Sequence, residues 1–502
     1  MTQLSQPRGY KNAEVLHKNL QSKREEYWIK NGQRRALQMF RSMVQDVPAY
    51  KKFLKKHNIN PVDIKNAEDF PSVPPLDKAN YLRAYSRPDL CWDGKFDEQS
   101  WVISTTSGST GEPYYFPRTD LQDRSFAVTT ELYLRANFNI QNKTTLYIDA
   151  FPMGAWIGGV LTYESIKQVA EKGYPLSIIT PGIHRQEVIN AVKQLAREFD
   201  QVIIAAYAPH LKDILDQGTD QGINWKDYNI GLIFSAEAFS ETFRDYILKT
   251  VGAKDALRST LNHYGTVDLG TMAHETPLSI LIRRLLVEDN KLNILFPEDK
   301  RQPTLAQYDP SLFYFEQDGN NLLCSSYSGI PLFRYDLKDY GGILTKAEVY
   351  KRLKNNGYDI DEIIKEKGIE DTVWNLPFVY VYERDDFSVS YYAFLIYPDT
   401  IRRALQTVEF EKNITGKFSM EVDYDKNGNQ RFKIYIEKKL GVEDKNLEGE
   451  LKKHLHARLC EENSEYRVTA EIIGEKFQPY IYLLDNGNPK YFKPGTKQKW
   501  VI

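Results

Sequence analysis

Between residues 140 and 275 short β-rich runs alternate with helical stretches, and no other feature of the chain constrains its fold as much. Residues 145–148, 176–179, 202–206 and 230–234 read as strands. Residues 157–171, 184–199 and 209–217 read as helices, the first stopped by Gly173. A fourth helix starts at Ser240, a good N-cap, and ends before Gly252. This order predicts βαβ units on a parallel sheet with helices over its faces. Ligands on such sheets bind in the loops beyond the carboxyl ends of the strands.

The last hundred or so residues follow another pattern. Residues 399–410 read as helix. Residues 418–424 and 432–436 flank Asn427-Gly428, a strong hairpin signal. Residues 447–459 have helical spacing and 466–473 alternate as a strand. The expected fold class is α/β: a large N-terminal body with parallel-sheet βαβ subdomains and a small, mobile α+β C-terminal domain. The expected division is 1–383 and 384–502, with a hinge near 384–387. Residues 343–375 form a charged, helical insertion (346–355 and 360–367). A solvated elaboration is one reading of it, an acceptor or partner surface the other.

At 502 residues the chain exceeds one ordinary core, which agrees with two domains. Charged residues are 27% and the formal net charge is −2, so nothing pulls the whole chain towards nucleic acid or an anionic membrane. Mean hydropathy is −0.53, and no apolar run approaches the ~18 residues of a spanning helix. The first twenty residues lack the apolar stretch of a signal peptide. Cys91, Cys324 and Cys460 lie far apart and form no Cys-x-x-Cys. They read as reduced thiols in a cytoplasmic protein rather than a zinc or disulfide framework. The sequence leaves a homodimer open.

The chemistry concentrates in a loop. A strand at 101–104 runs into Thr105-Thr106-Ser107-Gly108-Ser109-Thr110-Gly111-Glu112-Pro113, five hydroxyls and two glycines within seven residues. Backbone N–H groups and hydroxyls of this kind wrap phosphate oxygens, and glycine permits their close approach. No Gly-Lys-Ser/Thr follows, so it is not a Walker loop. His274-Glu275 lacks the second histidine of a zinc protease, and Pro277 interrupts the helix that reading needs.

Thr106 to Pro113 resembles the Ser/Thr/Gly-rich phosphate loop of the adenylate-forming (acyl-CoA synthetase) superfamily, with Glu112 in place of the family lysine. Five further segments resemble that superfamily in the same order. Ser235-Ala236-Glu237-Ala238 resembles its adenine turn, and Tyr264-Gly265-Thr266-Val267-Asp268 its Tyr-Gly-x-Thr-Glu motif. Pro331-Leu332-Phe333-Arg334-Tyr335-Asp336-Leu337-Lys338-Asp339 resembles a stretch of the phenylacetate–CoA ligase branch, with Lys338 where the family has glycine. Glu383-Arg384-Asp385-Asp386-Phe387 resembles its hinge, followed at a matching distance by Tyr397-Pro398. Gly495-Thr496-Lys497-Gln498-Lys499 resembles the segment carrying the adenylation lysine.

The resemblance implies a role for each position. Ser107, Ser109, Thr110 and Gly111 would hold the β and γ phosphates of ATP. Ala236, Glu237, Tyr264 and Gly265 would line the adenine, and Asp339 and Arg384 the ribose. Thr266 would reach the α-phosphate and Asp268 would hold Mg2+. Lys497 would be the catalytic lysine, with Lys499 the second candidate. The implied reaction is ATP-dependent activation of a carboxylic acid to an acyl-adenylate, followed by transfer to CoA as co-substrate. Transfer to an amine, protein thiol or carrier is the alternative, and a non-catalytic nucleotide-binding module a further one. An acyl pocket is expected between residues 150–159, 206–209 and His263. Phe151, Met153, Trp156 and Tyr207 there suggest a small-molecule acid of aromatic or medium apolar character.

Overall fold

The computed structural model describes residues 10–501 except 11, 99, 106–113, 156, 237, 297–301, 383–388, 392–393, 425–429, 444–445, 464–465, 468–469, 472–473 and 494–497. The chain opens with helices α1 (Ala13–Ser22), α2 (Glu25–Asp46), α3 (Pro48–Lys56) and the single turn α4 (Arg87–Leu90). Asn12 caps α1 by accepting from the Val15 amide, and Pro48 occupies the first turn of α3, where no N–H is needed. Strands β1 (Val102–Thr105) and β2 (Tyr115–Arg118) pair antiparallel, with Thr105 opposite Tyr115. Helix α5 (Asp120–Phe138) follows, opened by a capping box between Thr119 and Gln122.

The alternating region folds as the sequence predicts. Its elements are β3 (Thr145–Asp149), α6 (Ile157–Ala170), β4 (Leu176–Ile179), α7 (Arg185–Leu195), β5 (Gln201–Ala205), α8 (Ala208–Asp220), β6 (Ile230–Ser235) and α9 (Glu241–Val251). Ser240 caps α9 through the Phe243 amide, and Gly252 closes it in the left-handed conformation. The strands pair parallel in the order β4-β3-β5-β6. Successive side chains alternate between faces. Leu146, Ile148, Val202, Ile204, Leu232 and Phe234 bury one face against α7, α8 and α9. Tyr147, Ile203, Ala205 and Ile233 bury the other against α5 and α6.

The sheet then changes direction. β7 (Thr260–Thr266) adds parallel to β6 and turns directly into the antiparallel β8 (Gly270–His274). After α10 (Pro277–Glu288) come β9 (Thr304–Gln307), β10 (Phe313–Asp318), β11 (Asn321–Ser326) and the long β12 (Leu332–Leu344). Helices α11 (Lys346–Asn355) and α12 (Ile360–Lys367) lead to β13 (Phe378–Val381). The result is one 11-stranded sheet in the order β10-β11-β12-β13-β9-β8-β7-β6-β5-β3-β4. Arg244 and Arg283, both fully buried, pin α9, α10 and the end of β8 together through Glu241 and Glu275. The charged insertion is not only solvated: Val349, Leu353, Ile360 and Ile364 pack with α10 in one apolar cluster.

The C-terminal part has its own core. It comprises the hairpin β14 (Val389–Tyr391) and β15 (Phe394–Ile396), helix α13 (Pro398–Leu405), strands β16 (Ile414–Tyr424) and β17 (Gln430–Lys438), helix α14 (Leu447–Glu462) and strand β18 (Tyr480–Leu484). β16, β17 and β18 form a three-stranded sheet, with β18 parallel to β17. The strand expected at 466–473 is not there. The described residues of that stretch, Tyr466, Arg467, Ala470 and Glu471, are helical. Tyr466 and Ala470 both enter the core at a spacing of one helical turn, which the apparent alternation disguised. The third strand is β18 instead. The helix expected at 399–410 ends earlier, at Leu405. Among the described residues no helix is long and apolar enough to cross a membrane.

Candidate nucleotide site

The β7–β8 turn and β12 meet through a reciprocal pair of contacts. Each segment carries a tyrosine and, four residues on, an aspartate. The Tyr264 hydroxyl donates to Asp339 Oδ2 at 2.7 Å, and the Tyr335 hydroxyl donates to Asp268 Oδ2 at 2.6 Å. Hydrogen bonds to a carboxylate are among the stronger ones, so each aspartate is held in one orientation. Tyr264 and Asp339 are both nearly buried. One face of the Tyr264 ring lies against Phe315, with centroids 6.2 Å apart. Gly265 has no room for a side chain, since a Cβ there would sit 2.6 Å from the Gly270 carbonyl oxygen. That closeness lets the strand reverse within three residues, and the Thr266 hydroxyl secures the turn by accepting from the Leu269 amide at 3.2 Å.

Asp268 has a neighbour that the sequence did not announce. Lys78 Nζ lies 3.6 Å from Asp268 Oδ2. It is brought there because residues 76–78 run beside β12: the Leu76 amide donates to the Arg334 carbonyl and the Asp336 amide to the Leu76 carbonyl. The only sequence signal for Lys78 is Asp77, which caps the short turn Lys78–Leu82 through the Asn80 amide. Arg334 holds this junction from within. It pairs with Glu316 at 3.0 Å and donates to the Val73 carbonyl.

The replacement of glycine by Lys338 has a local explanation. Its φ is +58°, the left-handed region that costs a non-glycine residue roughly 1–2 kcal/mol. Asp336 offsets this by accepting from both the Lys338 amide at 2.9 Å and its Nζ at 2.6 Å. Ala236, at the end of β6, also has a positive φ, +72°. Unfavoured backbone of this kind persists where the surroundings over-determine it, often at binding sites.

The hydroxyl-rich loop joins β1 to β2, and both ends of the hairpin are anchored. Arg118 Nη1 donates to Ser104 Oγ at 2.9 Å, and its Nε pairs with Asp123 at 2.6 Å, all three buried. The Thr105 amide donates to the Ala155 carbonyl, tying the hairpin to the loop after β3. Ser107, Ser109, Thr110 and Gly111 themselves lie outside the described residues, as do Glu237, Arg384 and Lys497.

No family model matches the sequence, and neither does any curated protein. The fold does match solved structures. A 2-hydroxyisobutyryl-CoA ligase in the postadenylation state, in complex with 2-HIB-AMP, overlays with a TM-score of 0.68 at 12% identity. The overlay covers 97% of this chain and 91% of that one. The chain shares the fold of that ligase. An acyl acid amido synthetase in complex with 2,4-DB overlays at 0.55 and 13% identity, again over 97% of this chain and 91% of that one. The same CoA ligase in its thioesterification state, with 2-HIB-AMP and CoA, gives 0.54 at 13% identity over the same shares of the two chains.

Within this fold the C-terminal part contacts the edge of the candidate site. Arg402 Nη1 donates to the Ala238 carbonyl and Ser240 Oγ to Gln406, both at 3.2 Å. Lys417 of β16 reaches Asp213 on α8, which Arg185 also approaches at 3.4 Å. Lys439 pairs with Asp216 one turn further on, at 2.9 Å. The chain's last residues zip onto β16. The Met420 amide donates to the Trp500 carbonyl at 2.7 Å and Ser419 Oγ to the Lys499 carbonyl at 2.6 Å. Trp500 packs on Phe418, with the Arg402 guanidinium 4.5 Å from its ring centre. The Lys499 side chain is exposed.

Proposed function

We propose that this chain uses ATP to activate a carboxylic acid as an acyl-adenylate and passes the acyl group to a thiol, CoA in the first reading. The observation that carries the proposal is the reciprocal Tyr264–Asp339 and Tyr335–Asp268 pairing, which brings two distant motifs onto one patch at the end of the sheet. Motifs 331–339 and 383–398 favour the phenylacetate–CoA ligase branch. The amido synthetase neighbour keeps an amine acceptor as the second reading.

In this reaction a carboxylate oxygen of the acid attacks the α-phosphorus in line. The bond from that phosphorus to the bridging oxygen breaks, and pyrophosphate leaves. The acid is already ionised near pH 7, so no general base is needed. The work is positioning and charge neutralisation. Ser107, Ser109, Thr110 and Gly111 hold the departing phosphates, and Asp339 with Arg384 holds the ribose. Tyr264, Gly265, Ala236 and Glu237 enclose the adenine. Thr266 and Lys497 offset charge growing on the α-phosphate.

Asp268 suits a hard cation. Both of its contacts fall on Oδ2, leaving Oδ1 without a partner among the described residues. Mg2+ takes one or two carboxylates beside phosphate oxygens. Among the described residues no group of three or more metal-ligating side chains forms an all-protein cage. Asp268 would therefore hold Mg2+ jointly with ATP, and the ion supplies neutralisation of phosphate charge.

For the second half-reaction we propose that residues 384–502 turn as a cap about a hinge near 384–387, withdrawing Lys497 and admitting the acceptor. The higher TM-score against the postadenylation state than against the thioesterification state supports assigning the present arrangement to the first half-reaction. ATP–pyrophosphate exchange across a library of acids tests the reading, repeated for AMP release with and without CoA. We expect exchange with a narrow set of acids and CoA-stimulated AMP release. No exchange with any acid, despite ATP binding, would sink it.

A further inference from the structure

Ala238 and Phe239 stand between β6 and α9, in the turn whose Ala236 is proposed to line the adenine. Their consecutive carbonyls are held by two different parts of the chain. Arg283 of α10 donates Nη2 to the Phe239 carbonyl from within the body. Arg402 of α13 donates Nη1 to the Ala238 carbonyl at 3.2 Å from the C-terminal part. One residue beyond Phe239, Ser240 Oγ donates to Gln406 at 3.2 Å, again between the two parts.

The two holds differ in kind. Arg283 is fully buried and locked to Glu241 and Glu275, at 3.3 and 3.2 Å. Arg283 and Arg244 both lie against the Phe239 ring, 5.7 and 4.9 Å from its centre. Phe239 packs on Phe234 and Phe243, so this hold belongs to the body's own core. Arg402 belongs to the other core, and among the described residues no apolar cluster joins the two. The C-terminal part can therefore leave the body without opening a shared core. On its own side Arg402 is oriented by Asp399, which accepts from it at 3.3 Å. Its guanidinium also lies 4.5 Å from the centre of the Trp500 ring. Trp500 stands three residues beyond Lys497 and is fastened to β16 through its carbonyl. One side chain thus touches both the turn and the tail.

Ala236 holds a φ of +72°, an unfavoured backbone that persists where its surroundings over-determine it. A charge-assisted bond to a carbonyl two residues away is one such determinant. We propose that Arg402 is a positioning residue for adenylation. It stiffens the adenine turn only while the C-terminal part is docked, and so ties nucleotide binding to the position of the segment that carries Lys497. This rests on the adenylating function and the turning cap proposed above. When the cap turns, the bonds to Ala238 and between Ser240 and Gln406 part together, and the Arg283 hold remains. The coupling is reciprocal: bound nucleotide favours the docked cap.

Arg402→Met removes the bond and leaves Asp399 paired with Arg403. Arg402→Lys keeps the charge, and Gln406→Ala removes only the neighbouring bond. Lys439→Gln is the control, since it loosens docking at Asp216, away from the turn. Each full-length variant is measured for ATP affinity, for ATP–pyrophosphate exchange with an acid that the wild type activates, and for conversion of the supplied acyl-adenylate by the acceptor. Amide hydrogen exchange of the peptide spanning 235–243 is followed without ligand. We expect Arg402→Met to lower kcat/KM for ATP by about tenfold or more and to speed amide exchange in that peptide, with the second half-reaction unchanged within about twofold. Arg402→Lys should recover part of the loss, Gln406→Ala should show a smaller one, and Lys439→Gln almost none. Equal losses in both half-reactions, unchanged amide exchange, or the same loss in Lys439→Gln overturns the proposal and leaves adenylation standing. If the wild type activates no acid, adenylation fails, and ATP affinity with amide exchange decides. Weaker ATP binding together with faster exchange in Arg402→Met keeps Arg402 as the residue that holds the turn; anything less overturns it.

Discussion

The Tyr335 hydroxyl sits 2.6 Å from Asp268 Oδ2, a contact between residues 67 positions apart in sequence. It fixes the one carboxylate that the proposed chemistry places beside the phosphates. Removing the carboxylate in Asp268→Ala should lower the adenylation rate by about 10²-fold or more. Removing only its anchor in Tyr335→Phe should cost about tenfold. Pyrophosphate exchange over a range of Mg2+ concentrations checks both. Tyr335→Phe should regain activity as Mg2+ rises; indifference of both variants to Mg2+ would remove Asp268 from the metal.

Tyr264 and Asp339 form the other half of the crossed pair. Asp339→Asn should raise KM for ATP with a smaller effect on kcat, because the proposed ribose contact would act in the ground state as well. Tyr264→Phe should do the same more weakly. A double-mutant cycle on ATP affinity should return a coupling of about 1 kcal/mol. Additive effects would show that the hydroxyl does not orient the carboxylate.

Lys497→Ala should slow adenylate formation by roughly 10²–10³-fold while leaving the conversion of a supplied acyl-adenylate nearly intact. Lys499→Ala should be mild in both half-reactions, since its backbone rather than its amine is tied to Ser419. Equal losses in both half-reactions for Lys497→Ala would refute the division of labour.

Much of this was legible in the chain, for reasons that differ from place to place. Residues 145–251 read correctly because each strand is short, apolar and punctuated by a cap or glycine, as at Ser240 and Gly252. The stretch after 466 was misread because Tyr466 and Ala470, one helical turn apart, also fit a period of two. β18 escaped because its flanks are polar and its outward residues, Tyr480 and Tyr482, are exposed aromatics. In the site, Tyr264, Asp268 and Asp339 were visible as motifs. Lys78 and the crossed hydrogen bonds were not, since they arise from pairing with β12 that no local pattern encodes.

Stability should depend on pH through three buried histidines. Burial pushes His210 down to about 4, His263 to about 3 and His274 to about 4. His210 faces Asp213, Lys417 and Arg185; His274 bonds the Glu275 carbonyl. Unfolded, each titrates near 6.5. The folded state therefore binds fewer protons between about pH 3 and 6.5, so stability is complete above 6.5 and declines as pH falls below it. The slope approaches about 1.4 kcal/mol per pH unit for each histidine. Urea midpoints should drop between pH 7.5 and 5, and His274→Gln should flatten the fall. Identical midpoints at the two pH values would contradict these burial effects.

β12 is kinked at Arg334 and Lys338, both at positive φ, but from Asp339 to Leu344 it is extended, and α11 begins two residues later. A fully extended strand advances about 3.3 Å per residue, so Asp339 and the start of that helix are roughly 20 Å apart on one stiff rod. An antibody fragment or small protein clamped onto α11 and α12 would thus pull on the proposed nucleotide-binding end without approaching it. The outer helices offer a handle for tuning the proposed reaction from a distance, and a surface where engineering is safe to the eye but audible at Asp339.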